Sequence, residues 1–73
     1  MAETFFSLRL KQLREAAGLT QRQLAERARL NRVTVAKFEA GTRSPSWETV
    51  IDLADALGVE CTAFVEPRRR KKK

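Results

Sequence analysis

The run Arg32-Val33-Thr34-Val35-Ala36-Lys37 places two cations five positions apart. In an α-helix, at about 100° per residue, that spacing sets the second cation about 140° around the axis from the first and rather more than one turn further along it, so the two flank one outer stripe. Val33, Ala36 and Ala40 complete the stripe with small or apolar groups, so a helix built this way can approach another surface closely. Arginine and lysine donate to guanine O6 and N7, and a valine methyl can touch the methyl of thymine. The chemistry on offer is the reading of base edges in a DNA major groove. The same residues would also suit an ordinary solvated helix face.

Such a stripe needs a helix to hold it, and the flanking residues specify one. Asn31 is a good N-cap, and Leu30 before it can pack on Val35 four places past the cap as a hydrophobic staple. Gly41 supplies a C′ terminator, and Val35 and Phe38 fall on the inward side. Upstream, Thr20-x-x-Gln23 is a capping box flanked by Leu19 and Leu24, which starts a second short helix. Two caps this close force a sharp corner. Thr20 to Gly41 therefore reads as a helix-turn-helix.

The rest of the chain supports that unit. A first helix is expected from Thr4 or Phe5 to Ala17, with Phe6, Leu10, Leu13 and Ala17 on one face and Gly18 as its stop. Ser46 can cap a later helix that carries Glu48 in its positive first turn, lines its inner face with Val50, Leu53, Ala54 and Leu57, leaves Ile51 partly exposed and ends at Gly58. Val59 to Val65 reads as one or two further helical turns, with Val59 and Phe64 sealing the bundle. Residues 1–65 form the expected domain. Residues 66–73, with six Lys/Arg after Pro67, form a like-charged block expected to be a mobile, disordered basic tail.

At a length of 73 residues the expectation is one small domain without a sensor domain. Glu48, Asp52 and Asp55 share a helix side, but without histidine or a second ligand cluster they read as a solvated face rather than a metal or acid–base site. Cys61 cannot form an internal disulfide and lacks a histidine to activate it. No catalytic site, metal, cofactor or small-molecule ligand is expected. No run approaches membrane-spanning length, and the opening MAETFFS has no secretory pattern, so the expectation is no membrane role and a cytoplasmic location.

Net charge is +6, and its distribution carries more information than its size. Residues 1–43 hold nine Lys/Arg against four Asp/Glu, residues 44–65 hold four acids and no base, and residues 66–73 hold six bases and one acid. A basic half that contains the helix-turn-helix, backed by an acidic segment, would orient the domain on a polyanion.

LKQLREAAGLTQRQLA at 10–25, VTVAKFEAG at 33–41 and SPSWETVIDLADALGV at 44–59 lie in the order and spacing of a known family. From Leu10 to about Phe64 the chain resembles the lambda-repressor-like helix-turn-helix domains of the Cro/C1 (XRE) type, common in bacteria and phages. The resemblance implies an all-α, compact five-helix domain that binds double-stranded DNA as a homodimer, with the second motif helix in the major groove. It assigns base readout to Arg32, Val33 and Lys37. Gln21 matches a glutamine that touches phosphate and braces the first recognition residue, here Arg32. Thr34, Thr42 and Arg43 match backbone-contacting or bracing positions, and Arg14 and Glu39 match a structural ion pair. Trp47 matches a half-buried apolar position, for which packing is favoured over DNA contact. Arg29 stands where the family usually has a glycine in left-handed conformation. The function implied is a sequence-specific transcriptional regulator, a repressor above all. The alternative is the antitoxin of a toxin–antitoxin pair, with a toxin protein as its partner.

Overall fold

The computed structural model describes residues 4–65. The basic segment 66–73 lies outside the described residues. Four α-helices, α1 (Phe5–Ala16), α2 (Gln21–Ala28), α3 (Arg32–Ala40) and α4 (Trp47–Leu57), are followed by a short 3-10 helix, Cys61–Phe64. Among the described residues the expected five helices are therefore corrected to four α-helices and a 3-10 turn. The last segment closes with bonds three residues apart, from the Ala63 amide to the Glu60 carbonyl and from the Val65 amide to the Thr62 carbonyl, which is the pattern of a 3-10 turn.

Local hydrogen bonding explains the starts of the four α-helices. Thr20 accepts from the Gln23 amide while the Gln23 side chain accepts from the Thr20 amide, at 3.0 and 2.9 Å. Asn31 Oδ1 accepts from the Val33 amide at 2.8 Å, and the Ser46 hydroxyl accepts from the Thr49 amide at 3.2 Å. The start of α1 repeats the reciprocal cap with a shorter side chain. Ser7 Oγ accepts from the Thr4 amide and donates to the Thr4 carbonyl, at 3.0 and 2.8 Å. These bonds let a hydroxyl sit in the interior without an unpaired polar atom, which is why apolar spacing alone passes over Ser7, 1% exposed.

The four helix ends use one device. After each helix the chain turns left-handed at Gly18, Arg29, Gly41 and Gly58. The following amide reaches back five residues, from Leu19 to Arg14, Leu30 to Ala25, Thr42 to Lys37 and Val59 to Ala54, at 2.8–3.1 Å. This closure satisfies a carbonyl that the helix leaves unpaired. Arg29, at φ 61° and ψ 40°, is the one described residue to do so with a side chain, at a cost of roughly 1–2 kcal/mol relative to glycine. Helix α1 ends at Ala16, so Ala17 is an exposed cap rather than part of the packed face.

Each α-helix sends one fully enclosed residue to the centre: Leu10, Leu24, Val35 and Leu53 are all 0% exposed. Enclosing an aliphatic side chain contributes roughly 1.5–3 kcal/mol. Below them, Phe6 meets Phe38 edge-on at 5.8 Å between centroids and Phe64 at 5.2 Å. Arg9 Nε donates to the Ala63 carbonyl at 2.9 Å, fastening the 3-10 helix to α1. The core thus holds α3 along one side only.

Candidate nucleic-acid interface

Helix α3 divides sharply. Val35, Phe38 and Glu39 are buried, while Arg32, Val33, Lys37 and Ala40 are exposed and Thr34 and Ala36 are half-buried. Val33, 51% exposed, is a large apolar group left in water between two cations. Isolated exposed valines are common, but here the neighbours at helical spacing are small or cationic.

The buried edge of α3 is held by charge. Glu39 Oε2 accepts from Arg14 Nε at 2.7 Å, and Glu39 Oε1 accepts from Arg14 Nη2 at 3.1 Å. Arg14 Nη1 also donates to the Leu19 carbonyl at 2.8 Å. The two side chains are 12% and 5% exposed, so this is a two-pronged ion pair shielded from water. The hydrogen bonds to Glu39 raise the Arg14 pKa against the opposing pull of burial, and the guanidinium stays charged at any ordinary pH. The Arg14 guanidinium thereby joins α1, the α1–α2 connection and α3.

Gln21 completes that network, since its Nε2 donates to Glu39 Oε1 at 3.0 Å. Among the described residues no hydrogen bond joins Gln21 to Arg32, so the expected bracing of Arg32 is replaced by bracing of Glu39. The reason is geometric: Glu39 Oε1, which already accepts from Arg14 Nη2, also lies within reach of the Gln21 side-chain amide. Spacing could not reveal this, because the contact crosses 18 positions.

Beyond α3, Thr42 is tied back by its amide and hydroxyl to the Lys37 carbonyl, at 3.0 and 3.3 Å. Arg43 follows, exposed. Trp47 opens α4 with 63% of its surface exposed, rather than half-buried as its matched position implies. As the first residue of α4 it precedes the inward-facing Val50, and no described aromatic pair includes it. Arg32, Val33, Lys37 and Arg43 are thus set in the open, while Gln21, Arg14 and Glu39 hold the scaffold beneath.

A family model described as a helix-turn-helix domain matches residues 6–63. The chain belongs to that family, and its motif is of the Cro/C1 type. It is 42% identical over 57 residues to the immunity repressor protein of Bacillus phage phi105, a match covering 78% of this chain and 40% of that protein. Against an uncharacterised HTH-type transcriptional regulator of Sinorhizobium fredii it is 36% identical over 55 residues, covering 75% and 71%. Among solved structures, the restriction-modification controller protein C.AhdI of Aeromonas hydrophila matches with a TM-score of 0.80 at 38% identity, covering 82% of this chain and 91% of that one. The chain spans less than half the length of the phage repressor. No helix among the described residues is long and apolar enough to cross a membrane.

Proposed function

We propose that this chain is a sequence-specific DNA-binding transcriptional regulator, acting as a repressor, that places α3 in the major groove of an operator without a cofactor. The observation that carries the proposal is the division of α3, whose buried edge is clamped by Arg14 and Gln21 through Glu39 while Arg32, Val33 and Lys37 face outward. A helix held rigidly on one side and furnished with donors on the other has what base reading needs. Arg32, Val33 and Lys37 read bases. Thr34, Thr42, Arg43 and the exposed part of Gln21 meet the backbone and set register. The names of the relatives, an immunity repressor and HTH-type regulators, support this reading.

The protein acts as a two-fold homodimer, which would meet two half-sites about 34–36 Å apart on one face of the duplex. Selection of bound fragments from a random DNA pool at two salt concentrations tests both points. A palindromic motif that persists at the higher salt is the expected outcome. Failure to enrich any motif, together with capture of a small toxin protein, would move the reading to an antitoxin role on the same fold.

A further inference from the structure

Helix α4 keeps one long side uncovered. At about 100° per residue, Trp47, Ile51, Asp55, Glu48 and Asp52 follow one another around an arc of about 140°. All five are exposed, and Trp47 and Ile51, at 63% and 41%, are the large apolar groups of α4 that the core leaves out. The three carboxylates enter no ion pair among the described residues. Arg27 and Arg29, at the end of α2, line an open depression of about 390 Å³ with Asp52 and Asp55, and neither closes on them. The outer side of α4 is thus an apolar strip with an acidic margin.

Charge decides what can cover this side. A DNA strand would set phosphates against Glu48, Asp52 and Asp55. A second copy using the same side under two-fold symmetry would set these acids against themselves, and like charges across an interface are unfavourable. The occupant must be basic, and the chain carries one: after residues 44–65, which hold four acids and no base, come the six consecutive cations Arg68 to Lys73. The eight residues 66–73 can span up to roughly 26–29 Å, whereas the eleven residues of α4 rise about 16 Å. The 3-10 helix just before them packs against α4, so the segment sets out beside its target. We propose that the basic segment 68–73 docks on the outer side of α4, with its cations on Glu48, Asp52 and Asp55 and an arginine over the Trp47 ring, where the aromatic face attracts a guanidinium. Each exposed pair contributes little. Tethering offsets this, because a short link holds the two partners at an effective concentration on the order of millimolar. The docking goes beyond the DNA-binding reading, and one consequence alone rests on that reading: a segment held on α4 is withheld from phosphates.

Trp47 is the only tryptophan of the chain, so its emission reports on this side directly. The test is acrylamide quenching of Trp47 in the full chain and in a variant that carries Arg68→Gln, Arg69→Gln, Arg70→Gln, Lys71→Gln, Lys72→Gln and Lys73→Gln together. Weaker quenching of the full chain at low salt is expected, independent of protein concentration, with the two chains equal at about 1 M salt, where charges are screened beyond about 3 Å. Equal quenching at low salt, or protection that survives high salt, would overturn the docking. Protection that grows with protein concentration would assign the segment to a second copy and overturn it too. A second measurement reads the consequence. Glu48→Gln, Asp52→Asn and Asp55→Asn together should raise affinity for random duplex more in the full chain than in the glutamine variant, by about twofold if the segment is docked half the time. Equal gains would overturn the withholding of the segment from DNA. Absence of DNA binding by the unaltered chain would overturn the proposed function, while the quenching result would still decide the docking.

Discussion

The two sides of α3 carry similar residue types and put them to opposite uses. On the inner side a charged group, Glu39, is 8% exposed and accepts three hydrogen bonds from two other parts of the chain. On the outer side Arg32 and Lys37 are exposed and enter none of the salt bridges among the described residues. A buried charge with its partners in place orients a helix, because moving it would strand a charge away from water. An exposed charge contributes little to stability and is available to a ligand. The difference teaches that charge on this helix must be sorted by burial before it is sorted by function.

The largest effect should come from breaking the inner side. Arg14→Ala leaves Glu39 buried with Gln21 as its remaining side-chain donor, and should cost about 3 kcal/mol of stability, read as a lowered urea midpoint. A midpoint that hardly moves would mean that water reaches the pair and that the two sides of α3 differ less than their burial indicates.

Breaking the outer side should leave stability alone and act on binding. Arg32→Ala is expected to weaken the selected operator by roughly 1–3 kcal/mol and random DNA much less, whereas Arg43→Ala should weaken both alike. Equal losses for Arg32→Ala would reassign Arg32 to phosphate and leave Val33 and Lys37 to read sequence.

The turn that sets which side of α3 faces out provides a finer test. Arg29→Gly should raise stability by roughly 0.5–1 kcal/mol, since Gly18, Gly41 and Gly58 close the same kind of turn without a side chain. A lower melting temperature would show that the Arg29 side chain contributes more than its backbone conformation costs. The smallest effect belongs to Arg22→Ala. Its pair with Glu26 at 3.5 Å leaves both side chains well exposed, at 77% and 67%, so the urea midpoint should stay where it is. A clear shift there would undo the distinction between buried and exposed pairs.

Much of the fold was legible in the chain because capping and termination are local. Thr20 with Gln23, Asn31, Ser46, Gly41 and Gly58 each act within a few residues of themselves, and each delimits a helix as its spacing implies. Short-range chemistry was missed where an unfamiliar residue did a familiar job, as Ser7 does in capping α1. The further helical turn expected in the last segment is there as a 3-10 turn, which Arg9 secures through the Ala63 carbonyl, and only the count of five helices implied by the resemblance is not matched.

The stripe of Arg32, Val33 and Lys37 was likewise visible from spacing, because the period of one helix settles which of its residues share a side. By itself the sequence determined where the helices begin and end, which faces are apolar and which half is basic. Tertiary structure alone decided that the Gln21 amide goes to Glu39 rather than Arg32, that Trp47 stands open, and that Arg27 and Arg29 line the same depression as Asp52 and Asp55. The physical reason is range: caps and periodicity act over three to five residues, whereas these placements depend on how whole helices meet, with contacts that span 18 to 25 positions.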